Sequence, residues 1–430
     1  MKHFLRYTVA PIFLMISTPL FAFLFWFTAT KLDGSVTTLI HFFATKGLVK
    51  GFYLILSPVF FGSKFSWSVI GIFSLIEIML MKIVPGKTYF GPTTSMGNRP
   101  VYKQNGLACF LITLALFLAS SIYIPSFNPA LFYTHMGEFI GALNLFSLAF
   151  CAFLYLKGRY FPSSSDNGIS KNLIFDFYWG TELYPRIFGI DLKQWTNCRF
   201  GMMSWPLIIL SFLYYQKQSS GLQIGMIVSV ALQILYVAKF FVWEKGYMRS
   251  IDIMHDRAGY YICWGCLVWV PVVYTSPTLY MVNLPETLNY ITAVLVFAIG
   301  AGAILANFWC DYQRMIYREE YQKTKKLLSV GYIEAISKEG GDCGNKYPLI
   351  TTGLWGISRN FRYVFELLGT FFWTLPAGFF LPLPWFYFLF LTVLLVDRAN
   401  RNDLRCQQRY KEDWVSYCKE VPYKMIPWIY

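Results

Sequence analysis

Apolar runs close to the length of a membrane-spanning helix recur along the 430-residue chain, and they limit its possible folds more than any other feature. A helix that crosses a bilayer needs roughly 20 mostly apolar residues. Such runs lie at 8–29, 66–85, 107–125, 136–156, 203–217, 221–243, 260–275, 289–309, 365–381 and 383–396. The sequence therefore predicts an all-α, polytopic membrane protein of about ten transmembrane helices. Segment 35–61 is too short to cross alone and leaves two alternatives, a re-entrant turn or packing against the bundle.

Basic residues flank the first and last apolar runs, and they predict the orientation of the chain. These residues are Lys2, His3, Arg6, Arg398, Arg401, Arg405 and Arg409. By the positive-inside rule both termini lie in the cytosol, which requires an even number of spans. The first run is too long for a removable signal peptide, so we expect it to remain as a span. The membrane would be the endoplasmic reticulum in a eukaryotic host and the cytoplasmic membrane in a bacterial one.

The net charge of +14 suits anionic lipid headgroups or a phosphorylated small molecule. Nucleic acid is not an expected partner, because the basic residues are dispersed between spans and no nucleic-acid-binding motif occurs. Nine scattered cysteines argue against a disulfide framework, and the CWGC pair Cys263 and Cys266 lies in an apolar segment, where a structural role is expected. Four histidines without metal-ligand spacing predict no metal site. The sequence does not define an oligomeric state.

Polar stretches at 86–105, 157–202, 244–259, 310–364 and 397–430 carry the residues with chemical potential. In CDYQRMIYREEYQKTKK, Arg314 and Arg318 are four residues apart and share one face of a helix. That spacing fits a phosphate clamp and fits equally a basic helix at the lipid headgroups. In TTGLWGISRNFRY, the residues Trp355, Arg362 and Tyr363 combine stacking faces with a bidentate phosphate ligand. The alternative there is an interfacial aromatic belt with snorkelling arginines.

The final stretch mixes Arg with Tyr, Trp, Asp and Asn, which favours a polar ligand such as a nucleotide cofactor over a simple lipid anchor. A different chemistry is concentrated in EKGYMRSIDIMHDRAGYYICWGCLVWVP, at a predicted membrane boundary. Its ionisable residues are Glu244, Tyr247, Asp252, His255, Asp256, Tyr260 and Tyr261. Ionisable groups at such a depth indicate a functional site, and Tyr, His and Asp can deliver a proton. A polar belt at headgroup level is the structural alternative.

Several long blocks of the chain are distinctive, among them GNRPVYKQNGL (97–107), NLIFDFYWGTELYPRIFGIDLKQWTNCRFGMMSW (172–205), IDIMHDRAGYYICWGCLVWVPVVYTSP (251–277) and LTVLLVDRANRNDLRC (391–406). Together these blocks resemble the sterol reductase family. The resemblance implies that NADPH and sterol pockets lie in a C-terminal half, 244–430, that includes a cytosolic loop at 310–364 and the tail at 397–430. Residues 1–243 would supply N-terminal helices and the polar loop 157–202.

The resemblance also implies roles for individual residues. Arg314 and Arg318 would contact cofactor phosphates, with Trp355 and Tyr363 beside the nucleotide. The other implied cofactor residues are Ile350, Arg359, Arg362, Asn402, Cys406, Gln407, Gln408, Arg409, Tyr410 and Tyr417. NADPH would deliver a hydride to one carbon of the sterol C7–C8 double bond, and Tyr261, with His255 and Asp256 as a polar relay, would protonate the other.

Several positions depart from the family pattern, among them Leu354, Asn360, Arg362 and Asn402. They leave other functions open: reduction of a C14 or C24 side-chain double bond, or sterol binding with weakened catalysis. A membrane isoprenylcysteine methyltransferase shares a polar C-terminal pocket, but SRNF and RNDLRC lack the Arg-His-Pro and Glu-Glu that it requires.

Overall fold

The computed structural model describes residues 2–94, 96–338 and 343–430, with the side chain of residue 2 excepted. Within these ranges, eight helices are long and apolar enough to cross a membrane: Leu5–Lys31, Lys64–Ile83, Gly106–Tyr123, Met136–Tyr160, Ile224–Val242, Tyr260–Met281, Tyr290–Thr324 and Leu383–Tyr410. The prediction of a helical, multi-pass membrane protein is confirmed. The spans at Leu5–Lys31 and Tyr260–Met281 include the π-helical stretches Leu5–Val9 and Gly265–Tyr274.

Two of the ten predicted spans form helices that are shorter or less apolar than these eight. Run 203–217 lies in Met202–Ser219, whose last turns, YYQKQS, lower its hydropathy. Run 365–381 forms Arg362–Thr374, only 13 residues, and Pro376 then lies in the 3₁₀ turn Leu375–Ala377. At 1.5 Å per residue this helix is about 20 Å long, shorter than a hydrocarbon core of about 30 Å.

The ambiguous segment 35–61 contains two helices, Val36–Lys46 and Leu48–Leu56, that meet at an angle of 114°. Gly47 separates them with φ = +76°, a conformation that glycine adopts without a steric penalty. The pair is therefore a broken span or a re-entrant turn.

Hydrogen bonds donated by side chains connect the helices in the middle of the bundle. Trp205 Nε1 donates to Gln233 Oε1 at 2.8 Å, and Gln233 Nε2 donates to Ser229 Oγ at 3.1 Å. Ser229 Oγ in turn donates to the carbonyl oxygen of Trp373 at 2.6 Å. Unpaired polar groups are costly in a bilayer, so this connected chain favours one arrangement of three helices.

The C-terminal half carries its polar residues on extensions beyond the spans. Helix Tyr290–Thr324, the long helix, has 35 residues and is about 52 Å long, well beyond the hydrocarbon thickness. It leads into an antiparallel pair of strands, Tyr332–Ile336 and Lys346–Ile350, the C-terminal hairpin. After the short helix Leu354–Ile357 and helix Arg362–Thr374, the chain continues through Leu383–Trp385 (3₁₀), Phe386–Tyr410 (the terminal helix) and Glu412–Glu420.

Short elements complete the described chain between the spans. Two further antiparallel hairpins pair Lys87–Phe90 with Val101–Gln104 and Arg186–Ile187 with Ile190–Asp191. The remaining helices are Lys2–Phe4, Leu131–Thr134, Leu173–Trp179, Leu192–Gln194, Trp195–Gly201 (π-helical), Glu244–Tyr247 and Ile251–Met254.

Candidate cofactor and proton-transfer site

Asp311 on the long helix organises two of the predicted cofactor residues. Its Oδ1 accepts hydrogen bonds from Arg362 Nη1 at 2.7 Å and from Arg314 Nη2 at 3.2 Å. Asp311 and Arg314 meet because residues three apart lie on one face of a helix. Arg362 begins the neighbouring helix, and its Nη2 also donates to the Tyr363 hydroxyl at 3.3 Å. One carboxylate therefore orients two guanidinium groups from two helices.

Trp355 forms an aromatic wall beside these arginines. The Arg314 guanidinium lies 4.7 Å from the centre of the Trp355 ring, and Trp355 Nε1 donates to the carbonyl oxygen of Cys310 at 3.1 Å. Trp355, Cys310 and Ile350 form one buried cluster. The chain turns into this position at Gly353, whose φ of +63° favours glycine. The structure thus brings together Arg314, Ile350, Trp355, Arg362 and Tyr363, whose role in cofactor binding stays a prediction.

The C-terminal hairpin joins this wall to the end of the chain. Side chains alternate along a strand, so Ile350 packs with Trp355 whereas Leu349 packs on the other side. Leu349 and Ala335 form a second buried cluster with residues of the chain end, namely Tyr410, Trp414, Tyr417 and Val421. Arg409 lies over the Tyr347 ring at 4.8 Å. The hairpin therefore has Trp355 on one face and Tyr410, Tyr417 and Arg409 on the other.

Five arginines of the long helix, of helix Arg362–Thr374 and of the terminal helix are called the arginine cluster: Arg314, Arg318, Arg362, Arg405 and Arg409. Arg314 is within electrostatic range of Arg318 and Arg362. Arg318, Arg405 and Arg409 all lie within electrostatic range of Cys406 on the terminal helix. The buried Nε atoms of Arg318 and Arg362 have no hydrogen-bond partner among the described residues. Buried donors are normally satisfied, and guanidinium groups match phosphate oxygens, so the cluster is suited to a phosphorylated ligand.

The remaining predicted cofactor residues are placed differently. Arg359 is buried, and its Nη1 donates to the carbonyl oxygens of Val421 at 2.7 Å and Pro422 at 3.0 Å. Its Nε lies 3.3 Å from Asp403 Oδ1, without the alignment of a hydrogen bond. Gln407 and Gln408 are exposed, and Asn402 Oδ1 is 4.0 Å from Cys406 Sγ.

Arg359 and its neighbours hold the last ten residues, 421–430, which we call the tail segment. Ser358 Oγ donates to the carbonyl oxygen of Met425 at 2.7 Å, and Asn360 Nδ2 donates to that of Lys424 at 3.1 Å. The Tyr430 hydroxyl donates to Asn400 Oδ1 at 2.6 Å, which returns the segment to the terminal helix. These contacts explain why three successive residues, 358–360, are polar and buried.

Replacing Arg359 by Ala is expected to release the tail segment. Hydrogen bonds to a charged donor contribute about 1.5–3 kcal/mol each, so losing two should lower the free energy of unfolding by about 3 kcal/mol. Thermal unfolding in detergent would register this loss, and backbone amides of 421–430 should exchange with deuterium faster. Ala at the exposed Lys419 is the control. An unchanged tail together with weaker cofactor binding would instead assign Arg359 to the cofactor.

The predicted proton donor Tyr261 and its relay residues lie in or next to residues 250–259. This segment, the short helix Ile251–Met254 with the turn that follows it, is called the aspartate loop. Arg398 Nη2 and Arg401 Nη2 of the terminal helix donate to Asp252 Oδ2 and Asp256 Oδ1, each at 2.6 Å. Asp256 is fully buried, and burial raises the pKa of its carboxyl group while Arg401 opposes the rise. Two adjacent ion pairs therefore fix the aspartate loop against the terminal helix.

Tyr261 lies just after this loop, in the first turn of the span Tyr260–Met281. Its ring stacks on Trp179 with centroids 5.5 Å apart. Among the described residues its hydroxyl has no hydrogen-bond partner, and both ion pairs of the aspartate loop lie within its electrostatic range. Arg398 also lies within range of the hydroxyls of Tyr261 and Tyr363. Arg398 is thus within electrostatic range of the predicted proton donor and of one predicted cofactor residue.

His255, in the same loop, is accessible to solvent at its surface but is packed among protein groups on its other sides. Desolvation by the surrounding protein, together with Arg405, Lys193, Arg401 and Arg409, lowers the pKa of His255 to about 3. The imidazole is therefore neutral near pH 7. In the predicted relay it can exchange hydrogen bonds but does not store a proton as imidazolium.

The sequence does not indicate the roles of three residues of the site. It shows Asp252 only as an ionisable group, and it relates neither Asp311 nor Arg398 to a partner. Asp311 precedes Arg314 by three residues, which was a readable helical signal. The partner of Arg398 is 146 residues away and could not be inferred from spacing.

Comparison with known proteins identifies the class. Residues 5–430 match the model of the "Ergosterol biosynthesis ERG4/ERG24 family". The chain belongs to this family of sterol reductases, oxidoreductases that act on sterol carbon–carbon double bonds, and the predicted resemblance is confirmed. No group of three or more His, Cys, Asp or Glu residues in the described chain could hold a metal ion.

Individual relatives make the likeness more specific. The chain is 44% identical to 7-dehydrocholesterol reductase of Arabidopsis thaliana, over 97% of this chain and 96% of the relative. It is 34% identical to a probable 7-dehydrocholesterol reductase of Acanthamoeba polyphaga mimivirus, over 79% and 75% of the two chains. It is 28% identical to Delta(14)-sterol reductase of Methylotuvimicrobium alcaliphilum, over 97% and 94%.

Proposed function

We propose that the protein reduces the C7–C8 double bond of a sterol 5,7-diene such as 7-dehydrocholesterol, with NADPH as the hydride donor. Full-length similarity to a 7-dehydrocholesterol reductase supports the choice of double bond. The position of Arg398, within electrostatic range of both Tyr261 and Tyr363, carries the mechanistic part of the proposal. On this proposal, a cofactor bound at the arginine cluster and an acid at Tyr261 would act on the same substrate.

The residues of the arginine cluster fit a phosphorylated dinucleotide. Arg314 and Arg318 would hold phosphate groups, and the unpartnered Nε of Arg318 gives a donor for that purpose. Trp355 and Tyr363 offer flat faces for the nucleotide. When bound, NADPH would supply the hydride for the sterol double bond.

Tyr261 would donate the accompanying proton from its hydroxyl oxygen to the other carbon of the double bond. Burial and the carboxylates of Asp256 and Asp252 disfavour the phenolate that remains, and the positive charges of Arg398 and Arg401 would offset part of that cost. Asp252 and Asp256 hold these two arginines through the ion pairs at 2.6 Å. A tyrosine at the mouth of an apolar span also meets the sterol away from bulk water.

We propose, in addition, that the cofactor and the sterol both bind in the 244–430 half and that both termini face the cytosol. The basic residues at both ends of the chain support this orientation. The host then determines the membrane: the endoplasmic reticulum in a eukaryote, or the cytoplasmic membrane in a bacterium.

The test is turnover by the detergent-purified protein with NADPH and 7-dehydrocholesterol. Loss of the ultraviolet absorption of the diene and a product two mass units heavier, identified as cholesterol, are the expected results. Reduction only of a C14- or C24-unsaturated sterol would move the activity to another double bond, as the similarity to a Delta(14)-sterol reductase allows. NADPH-independent sterol binding without turnover of any of these sterols would contradict the proposal and favour a binding protein.

A further inference from the structure

Lys193 is a fully buried lysine outside the residues assigned above. It lies on the short helix Leu192–Gln194, and only 1% of its surface is exposed. A buried ammonium group is costly unless its donors are satisfied. The contacts that satisfy it therefore indicate what the charge holds in place.

The contacts of Lys193 are mainly with the aspartate loop. Its Nζ donates to the carbonyl oxygens of Ile253, at 2.8 Å, and of Asp256, and more weakly to that of Leu183 at 3.5 Å. An ammonium group has three N–H donors, so these three carbonyls use all of them. Ile253 and Asp256 lie directly after Asp252 and His255, on the part of the loop that pairs with the terminal helix.

Backbone contacts bring the same two segments together. Ala258 N donates to the carbonyl oxygen of Glu182 at 2.9 Å. A Cβ atom on Gly259 would lie only 2.2 Å from Gly180 N, so the two glycine backbones are in direct contact. The aspartate loop thus rests on residues 180–193, and Lys193 supplies the charged contact between them.

We propose that Lys193 is a positioning residue that clamps the backbone of the aspartate loop, so that Asp252 and Asp256 hold Arg398 and Arg401 beside Tyr261. The inference rests on the proposed function, since it assigns to Lys193 the placement of that proton-transfer site. It acts through backbone carbonyls, so Lys193 touches neither sterol nor cofactor.

The titration of Lys193 supports this role. Burial lowers the pKa of Lys193 to about 8, although Asp191, Asp256, Asp252 and Cys263 act to raise it. The Tyr184 ring lies 5.7 Å from Nζ, and His255 is within electrostatic range. The folded protein therefore loses this proton at a lower pH than an exposed lysine would. The hydrogen bonds of a neutral amine are no longer charge-assisted, so the contacts with the carbonyl oxygens of Ile253 and Asp256 weaken above about pH 8. The loop then loosens and kcat falls.

The experiment compares Lys193→Met and Lys193→Arg with the control Lys171→Met. Lys171 is exposed and lies in the same polar stretch, 157–202. Hydrogen–deuterium exchange of 251–259 measures the clamp without any sterol. We expect faster exchange there in K193M, unchanged exchange at 354–363, and no change at either place in K171M. In turnover, K193M should lower kcat roughly 10- to 100-fold while the Kd for NADPH stays within about twofold. K193R keeps its charge at high pH. Its kcat should therefore lack the decline above about pH 8 that the wild type shows.

Each result bears on a separate part of the inference. Unchanged exchange of 251–259 in K193M, or a wild-type kcat that stays level up to pH 9.5, overturns the clamp. If K193M is not recovered folded, the pH profile of K193R decides, and a decline at the same pH as in the wild type overturns the clamp. Faster exchange in K193M, in a wild-type protein that reduces no sterol, supports the clamp and contradicts the proposed function.

Discussion

Replacing Tyr261 by Phe is expected to lower kcat by about 10²- to 10⁴-fold, the range in which a positioned general acid contributes. The ring would keep its stacking on Trp179, at 5.5 Å between centroids, so sterol and NADPH affinities should change little. Only the hydroxyl, which has no partner among the described residues, would be lost. Single-turnover measurements with 7-dehydrocholesterol and saturating NADPH would isolate the chemical step.

The neighbouring residue provides a matched control for this prediction. Tyr260 is buried and its hydroxyl is 3.1 Å from Thr18 Oγ1, so Tyr260→Phe removes a hydroxyl with a structural partner. We expect Y260F to lower the free energy of unfolding by about 1 kcal/mol and to leave kcat within a few-fold of the wild type. Equal losses of kcat in Y260F and Y261F would show that Tyr261 has no special part in proton transfer.

Changing Arg314 and Arg318 together to Met is expected to weaken NADPH binding by at least about 100-fold. Each charge-assisted hydrogen bond contributes about 1.5–3 kcal/mol, so two lost phosphate ligands are enough for such a change. Asp311 would still pair with Arg362 at 2.7 Å, so the carboxylate is not left without a partner. Calorimetry or quenching of tryptophan fluorescence by NADPH would measure the Kd.

Lys323→Met on the same helix is the control, because Lys323 is exposed and also carries one positive charge. It should change Kd less than about threefold, and this small effect should be reduced further by added salt. A double variant that binds NADPH as tightly as the wild type would remove the cofactor from the arginine cluster. The basic helix would then be left with the lipid-headgroup role that its spacing also allowed.

The departures from the family pattern occur mainly at residues with structural contacts. Asn360 Nδ2 donates to the carbonyl oxygen of Lys424 at 3.1 Å, an interaction that needs a donor but no charge. Leu354 packs against Cys310, Ile350 and Trp355. Arg362 pairs with Asp311 on the long helix. These contacts account for three of the substituted positions within the fold.

Periodic and local features were predictable from the sequence. The long apolar runs predicted the helical, multi-pass fold, because hydrocarbon admits few alternatives to a helix. The family resemblance implied that Arg314 and Trp355 belong to one site, and the structure places the Arg314 guanidinium 4.7 Å from the centre of the Trp355 ring. Predictions were less accurate where polar residues or a proline end an apolar run: runs 203–217 and 365–381 are helices of the bundle, but one has a polar end and the other has 13 residues.

By itself, the sequence determined the class of fold, the family and the chemical types gathered near the end of the chain, since each is encoded in runs or blocks of neighbouring residues. Only the tertiary structure decided which charges meet. Asp252 pairs with Arg398 across 146 positions, and Arg359 donates hydrogen bonds to the tail segment. Lys193 reaches the carbonyl oxygen of Ile253 across 60 positions. A guanidinium or ammonium group has the same charge wherever it lies, so its partner is set by how distant helices pack and not by the residues next to it.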